Sequence, residues 1–165
     1  LFDSCRRCFG AIGRRVAEIA RAFGAKVIYY SASGAPAQEG YEQVDFETLL
    51  TQSDIISVHA PLNEHTEGLI NSKTFEKMKS SCIFLNLGRG PIVDEQALYN
   101  ALVRNQIAAA GLDVLCEEPM SAYNPLLKLK DSKRLLITPH IAWASVEART
   151  HLMEIIHGQV KDFFA

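Results

Sequence analysis

The sequence predicts an α/β protein: a doubly wound parallel sheet with helices on both faces. Two observations carry this expectation. Helical and strand-like segments alternate from residue 9 onward, and such alternation marks a parallel sheet. Several strand segments are continuous apolar runs, as in Ile83-Phe84-Leu85, rather than alternating ones. Runs of that kind belong in strands covered by helices on both sides.

The elements follow in order. Ala11 to Phe23 reads as a helix, with Val16, Ile19, Ala20 and Phe23 on one face and Gly24 as its stop. Lys26 to Tyr30 is a strand, and residues 31–40 form a loop rich in Ser, Gly, Ala and Pro. Asp45 caps a short helix through Gln52, and Asp54 to Ala60 is a strand ended by Pro61. Ser72 to Lys79 reads as a short helix capped by Ser72, and Cys82 to Leu87 as a strand. Asp94 opens a helix carrying Ala97, Leu98, Ala101 and Leu102. Ala108 to Val114 and Leu135 to Thr138 are further strands. The last helix starts near Ser145, with Leu152, Ile155, Ile156, Val160 and Phe163 as an apolar stripe.

At 165 residues the chain fits one domain, large enough to bury about 70% of its unfolded surface. It is 48% hydrophobic and 22% charged, with a net charge of −2. Such a chain lacks the basic footprint of a nucleic-acid binder. Its scattered Lys and Arg give no membrane-surface patch. No apolar run approaches the roughly 18 residues of a membrane span, and the start lacks the apolar core of a signal peptide. The expected compartment is the cytoplasm. Cys5 and Cys8 form a C-x-x-C without the second pair a zinc site needs. All four cysteines, with Cys82 and Cys116, read as reduced thiols without a catalytic role.

Cys8-Phe9-Gly10-Ala11-Ile12-Gly13 stands where a G-x-G-x-x-G dinucleotide turn would open the first helix. Gly10 would admit the pyrophosphate to the backbone and Gly13 would let helix and strand pack closely, with first-turn amides facing the phosphates. Cys8 occupies the first glycine position, where a left-handed backbone costs a non-glycine residue roughly 1–2 kcal/mol. The segment before it should be a central strand, yet it carries Asp3, Arg6 and Arg7; residues 1–8 are thus an atypical start, either divergent, frame-altered or cut at a chain boundary. The second strand ends Tyr30-Ser31-Ala32-Ser33-Gly34 without the ribose-binding carboxylate, leaving the hydroxyls of Ser31 or Ser33 for that contact. No Arg or Lys follows before Lys73 to hold a 2′-phosphate, so NAD is favoured over NADP.

Three polar residues follow strand-like runs. Arg89 follows Ile83 to Gly88, Glu118 closes the segment after Ala109 to Val114, and His140 follows Leu135 to Pro139. Ligands of open parallel sheets sit outside the carboxyl ends of the strands. A cation, a carboxylate and an imidazole gathered there can hold an anionic substrate and move a proton, which points to an enzyme.

Four segments resemble the D-isomer-specific 2-hydroxyacid dehydrogenases. They are Leu87-Gly88-Arg89-Gly90-Pro91-Ile92-Val93-Asp94, Gly111-Leu112-Asp113-Val114 through Glu117-Glu118-Pro119, Thr138-Pro139-His140-Ile141-Ala142-Trp143, and Ser57-Val58-His59-Ala60-Pro61-Leu62 with Thr66 and Gly68 downstream. Order and spacing agree over about residues 9 to 165, and the Trp143 ending looks most like glycerate dehydrogenases, also called hydroxypyruvate reductases. The resemblance implies a Rossmann-like fold, NAD and a small 2-hydroxy or 2-keto acid. It implies that Arg89 holds the substrate carboxylate and carbonyl, and that His140 exchanges a proton with the carbonyl oxygen. Glu118 would pair with His140, orienting it and favouring its charged form. Asp113 would lie on the nicotinamide side, with Ala11, Ile12, Ala60, Pro61, Thr66, Leu87 and Gly88 around the cofactor. Trp143 is expected to pack beside the site.

The family also has a substrate-binding domain made of sequence on both sides of this one, expected to be absent from this chain. Weak or no turnover is then expected of the chain alone, and a homodimer of the complete enzyme. Two other readings stay open: an NADH-sensing module resembling the family's transcriptional corepressors, and a non-functional truncated remnant.

Overall fold

The computed structural model describes residues 2–3, 10–34, 37–129 and 133–164. The expectations for Cys5, Cys8 and the charged side chains of the first strand lie outside these residues. Among the described residues seven strands form one sheet in the order β3-β2-β1-β4-β5-β6-β7. They are β1 (Phe2–Asp3), β2 (Ile28–Ser31), β3 (Glu42–Gln43), β4 (Ile55–Val58), β5 (Ile83–Asn86), β6 (Ala109–Leu112) and β7 (Leu135–Ile137). All pairings are parallel, and β1 lies between β2 and β4. The chain thus reverses its winding direction beside β1, as in a doubly wound sheet.

Register sorts the side chains into rows. Ile56, Phe84, Ala110 and Leu135 stand abreast, and Val58, Asn86, Leu112 and Ile137 form the next row on the same face. That face packs with Leu49 and Leu50 of α2 (Phe46–Gln52), Phe75 of α3 (Ser72–Phe75), and Leu98 and Leu102 of α4 (Glu95–Val103). Each fully buried large aliphatic or aromatic side chain there contributes roughly 1.5–3 kcal/mol. On the other face Ala17 of α1 (Ala11–Ala22) meets Tyr29 of β2.

Three expectations change. The buried face of α1 centres on Gly13 and Ala17, while Ile19 and Phe23 are exposed. The segment after Asn71 is helical only through Phe75. Asn71, not Ser72, is its cap, accepting from the Lys73 amide while the Thr74 hydroxyl accepts from the Asn71 amide. Finally α5 (Val146–Phe163) starts near Ser145 as expected, with Ser145 as its cap, but buries none of its residues. Its apolar stripe faces outward, and Ile55 and Leu136 on the sheet are also exposed. No helix among the described residues is long and apolar enough to cross a membrane.

Arg134 joins the sheet to α4. Its guanidinium donates to the carbonyls of Leu102 (2.9 Å), Ile107 (2.6 Å) and Ala108 (2.8 Å) and to Asn105 Oδ1 (2.7 Å). A cation at a helix C-terminus also complements the dipole. Arg134→Ala leaves carbonyls of the α4–β6 connection without their donor. The expected loss is about 2 kcal/mol, read as a lower urea midpoint; an unchanged midpoint would show that water replaces the clamp.

Candidate active site

The carboxyl ends of β4 to β7 lie side by side, and each continues into a turn that carries a candidate residue. After β5 the buried Asn86 governs the chain's path: its Oδ1 accepts from the Gly88 amide (3.1 Å) and its Nδ2 donates to the Arg89 carbonyl (3.0 Å). A Cβ on Gly88 would stand 2.8 Å from the Ala60 carbonyl oxygen, so the Leu87-Gly88 turn lies directly against Ala60-Pro61 after β4. The fully buried Thr66 closes that second loop, donating to the Pro61 carbonyl (2.7 Å) and accepting from the Asn63 amide (2.9 Å). Leu87, Gly88, Ala60, Pro61 and Thr66 therefore share one corner of the sheet's edge. The Arg89 guanidinium folds back on its own turn, donating to the Gly88 carbonyl (2.8 Å).

β6 runs into Asp113 and β7 into Thr138-Pro139-His140. The buried Asp113 accepts from the Thr138 hydroxyl and from the amides of Ile141 (3.0 Å) and Ala142 (2.9 Å). Burial pushes the Asp113 carboxyl up, but these three hydrogen bonds and the nearby His140 outweigh it and hold the group below the usual carboxylate range. His140 adopts a left-handed backbone, φ 54°, which costs a non-glycine residue about 1–2 kcal/mol. The Asp113 bonds fasten the residues on both sides of it. Trp143 contributes as well: it is half exposed rather than packed, and its indole N–H donates to the His140 carbonyl (2.9 Å).

Glu118 meets His140 across this turn, Oε2 to Nδ1 at 2.7 Å. Its other oxygen accepts from the Leu115 amide at 2.8 Å. The Leu115 amide first, and the His140 ring second, hold the Glu118 carboxyl below its ordinary range. Farther along the loop, Glu95 at the start of α4 accepts from the Cys116 amide (2.8 Å) and from Asn124 Nδ2 (2.7 Å). A cavity of about 420 Å³ opens here, lined by Asp113, Leu115, Glu118, Pro119, Met120 and the segment Ile137 to His140. Arg89 lies outside this lining, on the turn of β5 next to β6. A second groove is lined, among the described residues, by α5 alone.

At the N-terminal end of α1, Gly10 is the cap and the first turn contains no acidic residue. Ala11 and Ile12 are exposed and Gly13 is buried. The amides of a helix's first turn have no intrahelical acceptor, so this end suits an anion. Ser31, at the end of β2, is buried with its hydroxyl 3.1 Å from that of Ser33. Two cations reach the following loop from α1, a placement the sequence after β2 does not announce: Arg21 donates to the Gly40 carbonyl (3.0 Å) and Arg14 to Gln38 (3.5 Å). Cys82 and Cys116 are free thiols. Burial pushes Cys82 up to about 11, and burial followed by Glu95 pushes Cys116 up to about 12, so both stay protonated at neutral pH. Among the described residues no group of three His, Cys, Asp or Glu side chains can hold a metal ion.

Known proteins resemble this chain in sequence and in fold. Residues 7–142 match the family described as D-isomer specific 2-hydroxyacid dehydrogenase, NAD binding domain. A hydroxypyruvate reductase of Blautia hydrogenotrophica is 44% identical over 94% of this chain and 48% of its own length. A glyoxylate reductase of Thermococcus litoralis is 46% identical over 90% of this chain and 44% of its own. The crystal structure of a D-lactate dehydrogenase with NAD+ from Lactobacillus jensenii superposes with a TM-score of 0.81 at 36% identity, covering 93% of this chain and 48% of that one. The chain spans about half the length of the curated relatives it matches. The family match takes in most of the chain, residues 7–142: the chain belongs to the D-isomer specific 2-hydroxyacid dehydrogenase family, in the NAD binding domain.

Proposed function

We propose that this chain binds NAD and supplies the catalytic side chains for hydride transfer between the nicotinamide and a small D-2-hydroxy acid or its 2-keto partner, with glycerate and hydroxypyruvate as the pair. The observation that carries the reading is the 2.7 Å contact between Glu118 Oε2 and His140 Nδ1 at the carboxyl ends of β6 and β7. With Nδ1 held, Nε2 is the nitrogen left to exchange a proton with the substrate oxygen. His140 gives that proton as the ketone is reduced and takes it back as the alcohol is oxidised. Glu118 balances the imidazolium charge. Arg89 swings from the Gly88 carbonyl to pair with the substrate carboxylate, a geometry suited to a planar guanidinium. The cofactor, when bound, supplies or accepts the hydride at substrate C2.

The exposed first turn of α1 fits a diphosphate, with Gly10, Ala11, Ile12 and Gly13 around it. Ser31 stands at the ribose end. Ala60, Pro61, Thr66, Leu87 and Gly88 form the adjoining corner, and Asp113 the nicotinamide side. A substrate-binding domain completes the cleft, and the whole enzyme is a cytoplasmic homodimer.

Fluorescence titration of the purified 165-residue chain with NADH tests the reading. Saturable binding is expected, and no binding overturns it. Steady-state turnover of hydroxypyruvate by the same chain should lie at least about a hundredfold below that of a two-domain relative, since positioning in a closed cleft is worth orders of magnitude. Relative-like turnover would show that this half suffices.

A further inference from the structure

We infer that Glu95 is a positioning residue for the Glu118–His140 pair: its carboxylate ties the loop of residues 115–124 to the start of α4 and so sets where Glu118 stands. The inference rests on reading that pair as the acid/base centre.

The loop between β6 and the single 3-10 turn Pro125–Lys128 contains no strand or helix of its own. Its backbone groups need partners from elsewhere. Glu95 provides one at each end. Oε1 accepts from the Cys116 amide (2.8 Å), 21 residues away in sequence, and Oε2 accepts from Asn124 Nδ2 (2.7 Å), 29 residues away. Asn124 is buried, and its Oδ1 caps the 3-10 turn through the Leu126 amide (2.9 Å). Glu118 lies between the two tied points.

The coupling to Glu118 is local. Two consecutive amides, Leu115 and Cys116, are taken by Glu118 and by Glu95 respectively. Whatever orients the second of those peptide units orients the first. Glu95 can do this because α4 is fixed: Asp94 caps it through the Ala97 amide (3.0 Å), and Ala97 and Leu98 are buried. The helix N-terminus favours a carboxylate at this position, and hydrogen bonds to an ionised acceptor are stronger than neutral ones. Glu95 thereby acts on His140 through Glu118.

Amide hydrogen exchange and the His140 ring resonances, followed by NMR in the 165-residue chain, decide the matter without any activity measurement. In Glu95→Ala the Leu115 and Cys116 amides should exchange about 10–100-fold faster, with Ala110 and Leu112 of β6 unchanged. The His140 signals should move toward those of Glu118→Gln. Glu118→Gln itself should leave the Cys116 amide protected, since dependence runs from Glu95 to Glu118. Glu95→Gln combined with Asn124→Asp restores both ties with one polarity reversed: the new amide donates where the carboxylate accepted, and its oxygen still accepts from Cys116. That double variant should return the His140 signals and the amide rates to within about threefold of wild type.

Three results overturn the inference: unmoved His140 signals once the Cys116 amide is freed, equal loss of protection throughout β6, or a folded double variant without recovery. Failure to bind NADH would remove the proposed function, yet the exchange pattern would still decide what Glu95 holds.

Discussion

Gly90→Ala should lower the unfolding free energy by more than about 3 kcal/mol, the upper range for overpacking a rigid site. A Cβ at position 90 would stand 1.9 Å from the Leu115 carbonyl oxygen and 2.5 Å from the Cys116 nitrogen. Both are backbone atoms, so no side-chain rotation relieves the clash. The 3-10 turn Gly90–Ile92 or the segment after β6 must shift. Either movement disturbs the Leu115 amide that Glu118 holds, so the His140 pairing should weaken together with stability. Two further glycines set the scale. At Gly88 the nearest atom is the Ala60 oxygen at 2.8 Å, again backbone, but the overlap is smaller; roughly 1–2 kcal/mol is expected. At Gly111 the nearest atom is the flexible Leu85 Cδ2 at 2.9 Å, so less than about 1 kcal/mol is expected. Urea unfolding of the three variants should rank them in that order. A Gly90→Ala midpoint as close to wild type as that of Gly111→Ala would mean the two loops are not locked together.

Arg89, Glu118 and His140 stand out in the sequence because each comes after a strand-like apolar run, and a strand's carboxyl end is where a parallel sheet presents ligand groups; Asp113 is singled out only by the family resemblance. What holds those residues is not legible, because its partners are distant in the chain. Glu95 reads locally as an ordinary acidic residue in a first helical turn; its hold on Cys116 and Asn124 exists only once α4 and the β6 loop meet. Arg134 likewise finds its carbonyls some 26 to 32 residues upstream. Periodicity misled in two further places. After Phe75 the apolar spacing continues to Met78, but the Lys77 and Met78 amides bond to Thr74 and Phe75, three residues back. A spacing of three suits such tight turns as well as an α-helix. In α1 the large apolar side chains form the visible stripe, whereas the buried residues are Gly13 and Ala17, the latter packed against Tyr29 of β2.

Asp113→Ala should cost about 3 kcal/mol of stability and take His140 out of place. Removal of a buried acceptor strands the donors that faced it, and here these are the Thr138 hydroxyl and the Ile141 and Ala142 amides. The same contacts hold His140 in its left-handed conformation. Without them the turn can relax toward an ordinary backbone and withdraw the ring from Glu118. Asp113→Asn keeps the shape and one acceptor oxygen but turns an amide donor toward these same donors, so about half the loss is expected. The pH dependence has a definite sign. The folded-state pKa of Asp113 is lowered from its ordinary value of 3.8. The stability it contributes is therefore fully present above that value and is lost as pH falls through the lower folded one. Glu118, likewise lowered from 4.5, acts in the same direction, though its exposure to solvent makes its share smaller. Wild type should thus lose stability on acidification more steeply than Asp113→Asn, and the two urea midpoints should converge toward the acid end. Parallel pH curves for the two proteins would mean that the Asp113 charge plays no part in holding the turn, leaving its shape alone to keep His140 beside Glu118.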